Sequence, residues 1–203
     1  ELGLAQSNGF WTCIEPADVD GDGDLDLLLG NLGSNTRLKA DAQHPLNMYV
    51  NDFDGNGAVE QFITIFEGEK AFPFALLPDV VKQIPSLRKK YLKHAQYQGQ
   101  TMTDIFPPEA LSSAIKWEVY TTQTSVAIND GKGKFSLLPL PVEAQISSTY
   151  GLMADDLDRD GIVDILLAGN FFQAKPELGI NAGSYGVVLK GLGKGEFIPL
   201  NSK

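Results

Sequence analysis

A single cysteine, Cys13, stands among 203 residues. That excludes an internal disulfide framework and every multi-cysteine metal site, and it is neutral on compartment. There are two histidines, His44 and His94, and neither belongs to a metal-spaced pair, so no zinc site is recognisable. No apolar run approaches the roughly 18 residues of a membrane helix; the longest are short stretches such as Leu27-Leu28-Leu29. Bases are in deficit, 16 Lys and Arg against 26 Asp and Glu for a net charge of −10. That sign is wrong for a nucleic-acid face, which must neutralise phosphate, and it suits a protein that holds cations. No G-x-S-x-G, P-loop or dinucleotide fingerprint occurs. The chain opens at Glu1 with no basic and then apolar stretch, so no signal peptide is expected there. Without an initiator Met it reads as a mature form or an excised fragment.

What is present is acid in a pattern. Three nonapeptides obey D-x-D-x-[DN]-G-x-x-[DE]. They place Asp18, Asp20, Asp22 and Asp26; Asp52, Asp54, Asn56 and Glu60; and Asp156, Asp158, Asp160 and Asp164 at positions one, three, five and nine. Ca²⁺ takes six to eight oxygen ligands, roughly 2.3–2.6 Å away. Alternate residues of a tight loop can turn their oxygens toward one point, and Gly at position six permits the positive φ that brings later ligands back. Position seven (Asp24, Ala58, Ile162) would offer its backbone carbonyl, and position nine closes the cage. So many carboxylates in one loop repel unless a cation binds. The first and third loops supply four such carboxylates and the second three, eleven of the chain's 26 acids. The remaining acids nearly balance the bases, so the acidity is concentrated in the loops.

An EF-hand shares positions one, three, five and six but requires an acid at position twelve. Here position twelve is Leu29, Ile63 and Leu167, so that reading is excluded. Strand-like runs flank every loop: Trp11 to Ile14 and Leu27 to Leu29; Met48 to Val50 and Gln61 to Phe66; Tyr150 to Met153 and Ile165 to Ala168. The loops therefore join strands. Two further segments, Asn129-Asp130-Gly131-Lys132-Gly133-Lys134-Phe135 and Gly191-Leu192-Gly193-Lys194-Gly195-Glu196-Phe197, read as hairpin turns. Gly30-Asn31 and Gly169-Asn170 close the strands after the first and third loops.

The acidic nonapeptide between strands, followed by a G-x-G-x-F hairpin, resembles the FG-GAP/VCBS repeat, the blade of β-propellers such as the integrin α-subunit head. The run from Gly30-Asn31-Leu32-Gly33 to the final G-x-G-x-F also looks like the C-terminal propeller region of Bacteroidetes multi-repeat proteins of VCBS or ASPIC/UnbV type. The resemblance covers most of the chain apart from roughly residues 70 to 115. It implies an all-β propeller segment with the position one, three, five and nine residues above as ligands to as many as three Ca²⁺. The second loop departs by carrying Asn56 and Glu60, one charge fewer than its sisters.

Residues 76–115 follow another rhythm. Leu77, Val80, Val81 and Ile84 recur at helical spacing, with Pro78 and Asp79 in the first turn. After Pro85, Ser86 caps a second expected helix with Leu87, Tyr91, Leu92 and Ala95 inward, and Pro107-Pro108 precedes a third. Arg88, Lys89, Lys90, Lys93 and His94 form a basic cluster, read as a solvated helix face or a contact for an acidic glycan or partner. The interrupted blade is expected to resume over Trp117 to Ile128. Propeller blades of FG-GAP type thus occupy 1–75, with two loops, and 116–203, with one, around a small helical insertion at 76–115. At ~40–50 residues per blade the chain holds three to four, and propellers have four to eight, so the remaining blades of a larger chain are implied. The expected function is non-catalytic calcium-dependent binding of a protein or carbohydrate ligand in adhesion. Millimolar calcium points to an extracellular, periplasmic or cell-surface location. The alternatives are a polysaccharide-acting propeller hydrolase or lyase, and a structural spacer of a larger surface protein.

Overall fold

The computed structural model describes residues 2–200. Glu1 and residues 201–203, the ends of the 1–75 and 116–203 segments, lie outside the described residues. The strands are β1 (Cys13–Ala17), β2 (Asp26–Gly30), β3 (Leu46–Asn51), β4 (Glu60–Glu67), β5 (Lys70–Pro73), β6 (Ile115–Val119), β7 (Ser125–Asn129), β8 (Phe135–Pro139), β9 (Gly151–Asp155), β10 (Asp164–Ala168), β11 (Val187–Gly193) and β12 (Glu196–Pro199). The helices are α1 (Leu77–Gln83), α2 (His94–Tyr97), α3 (Met102–Ile105) and α4 (Pro108–Ser112). Among the described residues the strands form three antiparallel four-stranded sheets, so the chain is mostly β with a small helical part. No helix among them is long and apolar enough to cross a membrane.

The chain divides into two compact units, residues 1–38 with 121–203 and residues 39–120. The first unit holds the first sheet, in the order β1-β2-β7-β8, and the third, β12-β11-β10-β9. The third sheet is a continuous meander. The first is interrupted, because β2 pairs with β7 (Leu28 opposite Val126) across the whole inserted second unit. Both sheets feed one core of Val19, Leu28, Val126, Leu140, Ala144, Ile165, Leu167 and Leu189.

The registers make the two sheets superposable element by element. Ala17 faces Asp26 in the first and Asp155 faces Asp164 in the third, so Leu28 corresponds to Leu166. Their burial is opposite: Leu28 is 0 % exposed and Leu166 38 %. The first sheet offers its Leu28–Val126 face to the core, and the third offers the other face, through Ile165, Leu167 and Leu189. Two like sheets thus stack front to back. The corresponding front of the third sheet, with Met153 (41 %), Leu166 and Ile198 (46 %), is exposed.

The strand ends away from the acidic loops are tied by a buried polar network. Asn31 is 0 % exposed. Its Oδ1 accepts the N–H groups of Phe10 (3.2 Å) and Leu32 (2.7 Å), and its own N–H reaches Thr124 Oγ1 (3.2 Å). Gln145 bridges Thr124 through both ends of its amide, at 2.9 and 2.7 Å. Buried polar atoms cost free energy unless paired, so Gly30-Asn31 closes its strand by satisfying donors that the ladder leaves off. Gly30 has no room for a side chain: a Cβ there would stand 2.5 Å from Cys13 Sγ and 2.9 Å from the Thr149 carbonyl.

The second unit holds the second sheet, β5-β4-β3-β6. The stretch Trp117 to Ile128 is not one resumed strand. It splits at the boundary between units: β6 pairs with β3, Trp117 opposite Met48, while β7 belongs to the first sheet. The helices belong to this unit's core, with Leu77, Val80, Ile84, Tyr91, Met102, Ile105 and Phe106 packed against Phe62 of β4. α1 forms as the spacing requires. The second expected helix does not: Pro85–Lys89 is a 3-10 turn, and Leu92 and Ala95 are exposed. No proline stands between Pro85 and Pro107; the helix is broken by extended backbone at Lys93 and left-handed Gly99 (φ 76), and of the residues expected inward Tyr91 is buried, 5 % exposed, and Leu87 packs on the core half-buried. Lys90 departs from the basic cluster. Its ammonium donates to the carbonyls of Asp104 (2.6 Å) and Ile105 (3.4 Å) at the end of α3, the place where a cation complements the helix dipole.

Candidate metal centres

Each nonapeptide joins two neighbouring antiparallel strands: β1 to β2, β3 to β4 and β9 to β10. One hydrogen-bond plan recurs in all three. The position-six N–H donates to the position-one carboxylate, Gly23 to Asp18 (3.0 Å), Gly57 to Asp52 (2.8 Å) and Gly161 to Asp156 (2.9 Å). The position-five N–H donates to position three at 3.2 Å in every loop. The position-seven N–H of Asp24, Ala58 and Ile162 donates to the position-five oxygen at 2.9, 2.7 and 2.9 Å. The side chains therefore face inward on a backbone wound around them, an arrangement that Asx-type turns favour.

Two backbone positions make the winding possible. Position six is in the left-handed region in all three loops, Gly23 (φ 95), Gly57 (φ 86) and Gly161 (φ 87). Position four is too: Gly21 (φ 81), Gly55 (φ 73) and Arg159 (φ 66). The requirement at position four was missed by the sequence reading, although Gly at that place in two loops of three was a usable signal.

Position nine works differently from the others. Asp26 is 0 % exposed and Asp164 3 %. Asp26 Oδ2 accepts the N–H of Val19 (3.0 Å) and its Oδ1 that of Asn129 at the end of β7 (2.7 Å). Asp164 accepts from Leu157 (3.1 Å) and from Gly191 in β11 (2.8 Å). Glu60 accepts from Phe53 at 2.9 Å. The ninth residue thus ties the second residue of its loop back to the sheet and, in the first and third sheets, locks the following strand. Position two is the apolar anchor of the same bracket in the first two loops, while Leu157 of the third is 41 % exposed: Val19 enters the first unit's core. Phe53 stacks on Phe106 at 4.4 Å between ring centroids.

Three acidic groups bring ligand atoms within 4.8 Å of one another: Asp18, Asp20 and Asp22; Asp52, Asp54 and Glu60; Asp156, Asp158 and Asp164. Each could hold a metal ion, and the donors are all oxygen, as a hard cation requires. Electrostatics differ between loops. Burial, then crowding by Asp26, Asp22 and Asp18, pushes the Asp20 carboxyl above its ordinary value. The Gly57 N–H holds Asp52 below its ordinary value. In the third loop the Lys190 ammonium binds Asp158 Oδ2 and, at 2.7 Å, Asp160 Oδ2, which lowers Asp160 and raises Lys190. Lys190 was not singled out from the sequence; it lies 30 residues beyond Asp160, on another strand, and no local pattern marks it.

The position-twelve residues Leu29 and Leu167 are buried in β2 and β10, where no ligand could come from them. The hairpin segments form turns between β7 and β8 and between β11 and β12. In the first, Asp130 Oδ1 accepts the N–H groups of Lys132 (2.9 Å) and Lys134 (3.0 Å). Cys13 lies in β1, partly buried, and burial raises its thiol pKa, opposite to what a nucleophile needs. Comparison with protein-family models, curated proteins and solved structures finds no match for this chain.

Proposed function

We propose that the chain is a calcium-stabilised segment of an FG-GAP/VCBS-type β-propeller, and that it serves as a non-catalytic binding module outside the cell or on its surface. The observation that carries this reading is the recurrence of one oxygen-lined loop, with the same backbone donors at positions five, six and seven, at three strand junctions. The donor set fits Ca²⁺: carboxylate and amide oxygens, many per loop, on a flexible backbone. Asp18, Asp20 and Asp22, Asp52, Asp54, Asn56 and Glu60, and Asp156, Asp158, Asp160 and Asp164 would hold the ions, with Asp26 bracing the first loop from behind. A bound ion would neutralise carboxylates that otherwise repel, and so fix the strand junctions.

Propeller assembly is supported by the front-to-back stacking of the first and third sheets. Like sheets that meet through unlike faces repeat the same step at each addition, and an exposed front remains for the next blade. A binding role is favoured over a hydrolase or lyase because the clustered acids of each loop bring their oxygens within 4.8 Å of one another, an all-oxygen donor set that suits a hard cation better than proton transfer. Millimolar calcium outside cells would keep such sites loaded, and the ligand is a protein or a carbohydrate.

Calorimetry on chelator-stripped protein tests the reading. It should find close to three calcium sites, with magnesium bound far more weakly. No calcium binding, or a preference for magnesium, would overturn it. A protein and glycan array probed with calcium and with chelator then tests the binding role, which requires signals that chelator removes.

A further inference from the structure

We infer that Lys190 is a built-in counter-ion of the third loop, an internal cation with which the metal must compete, and that it makes this the weakest of the three sites. The inference rests on the calcium reading above and distinguishes sites that the sequence pattern makes look alike. By sequence the third loop, with four carboxylates, should outbind the second, with three.

The geometry reverses that order. In the third loop Asp158 and Asp160 each spend Oδ1 on a backbone N–H, from Asp160 (3.2 Å) and Ile162 (2.9 Å). Their Oδ2 atoms are both taken by the one ammonium of Lys190. In the first two loops the position-three and position-five oxygens take the same backbone donors. Among the described residues, no lysine or arginine is ion-paired with them.

The lysine belongs to the fold's repeat and departs from it. Asn129 and Gly191 occupy one structural position, since each sends its N–H to the ninth carboxylate, Asp26 or Asp164. The residues just before them are Ile128 in β7 and Lys190 in β11. Ile128 packs against the shared core. Lys190 stands on the corresponding front of the third sheet, which faces solvent, so a charge is tolerated there and reaches the loop. With the ammonium in place, two carboxylates of the third loop are already neutralised in part, and the loop keeps its shape without a metal. A dication entering must break both pairs or sit close to a positive charge. Exposed pairs are individually weak, so together with the direct repulsion they account for about a tenfold loss of affinity.

The test uses the full chain, stripped with chelator and titrated calorimetrically with CaCl₂, as wild type, Lys190→Met and Lys190→Gln. Asp156→Asn identifies the third site by removing it. Wild type should bind two ions more tightly than the third, and either lysine variant should tighten that third site about tenfold. Melting gives a readout that a merely structural lysine would not produce. Both variants should melt below wild type in chelator and level with it in saturating calcium. Three equal sites in wild type, unchanged affinity in both variants, or a deficit that persists in calcium would each overturn the inference. An absence of calcium binding at all three loops in wild type would instead overturn the calcium reading on which it rests.

Discussion

Replacing Asp26 separates the two tasks that the acidic loops combine. The side chain is fully buried, and its two oxygens take the N–H groups of Val19 and Asn129. Asp26→Ala deletes both bonds and strands two donors away from water. Hydrogen bonds to a charged acceptor are worth about 1.5–3 kcal/mol each, so the loss should be about 3–5 kcal/mol. None of this involves a metal, so the loss must appear in chelator. With a urea m-value of about 2 kcal/mol/M, the midpoint of the transition should fall by roughly 2 M. Asp20 is the control: its Oδ1 takes one N–H within an exposed loop. In chelator, Asp20→Ala should stay within ~0.5 kcal/mol of wild type, as surface substitutions do. In ~1 mM calcium it should lose about 1.4 kcal/mol, one site's contribution for a dissociation constant near 10⁻⁴ M. Urea titrations of the three proteins with and without chelator decide the matter. If Asp26→Ala is silent in chelator, or if both variants respond to calcium alone, the ninth residue is only a ligand and the bracket argument is wrong.

The backbone carries a second set of expectations. Gly21 and Gly55 meet nothing within 4 Å of a built Cβ, so Gly55→Ala should cost about 1 kcal/mol through its positive φ alone, while Arg159→Gly should cost nothing or gain up to that amount; thermal melts in chelator read both. Asn31→Ala should destabilise by about 2–4 kcal/mol, because the N–H groups of Phe10 and Leu32 lose their buried acceptor, and a Tm within a degree of wild type would refute the network. Asp104 is held below its ordinary value by the Thr101 hydroxyl and N–H. A depressed carboxyl stabilises above its unfolded pKa, near 4, and the benefit is lost as pH falls through the folded value. Acid titration of helical circular dichroism should therefore show a loss below about pH 4 that Asp104→Asn lacks. Deleting residues 76–114 strips Phe62 of its core partners, so calcium binding at the second loop should vanish while the first and third loops persist.

The parts legible from sequence were those whose chemistry is local. The oxygen pattern, the β-flanks, the hairpins and α1 are each set by residues a few positions apart, and each is where periodicity and turn chemistry place it. The order of pairing was not legible. That β7 returns to β2 across 82 intervening residues of another unit is decided by which apolar faces fit, and a strand's own residues do not say which edge it will join. For the same reason Trp117 to Ile128 looked like one run of β-formers. Its break, between Val119 and Ser125, depends on partners on different sheets. The short helices failed for another reason: apolar spacing sets which residues can face inward, but the chain must also stay helical long enough to use it, and the backbone leaves the helix at extended Lys93 and again at left-handed Gly99.

The nine-residue pattern contains two interleaved codes, and the ninth residue, which the sequence pattern marks as a ligand, belongs to the second as well. Positions one, three and five are exposed or half-buried, take hydrogen bonds from within their own loop, and remain available to an ion. Positions two, four and nine make the loop possible. An apolar second residue plugs a core in the first two loops (Leu157 of the third is 41 % exposed), a left-handed fourth residue turns the chain, and a buried ninth carboxylate ties both to the sheet. An acid suits position nine even before any metal is considered, since one carboxylate can accept N–H groups on both oxygens whereas an amide offers a single acceptor atom. Sequences that keep the second code but lose the first should fold with metal-free loops, and Lys190 is a step in that direction taken inside one loop of this chain. The three sites are therefore not copies to be counted. Each is one bracket, conserved in geometry across the three junctions, carrying a different balance of charge around the point where an ion would sit.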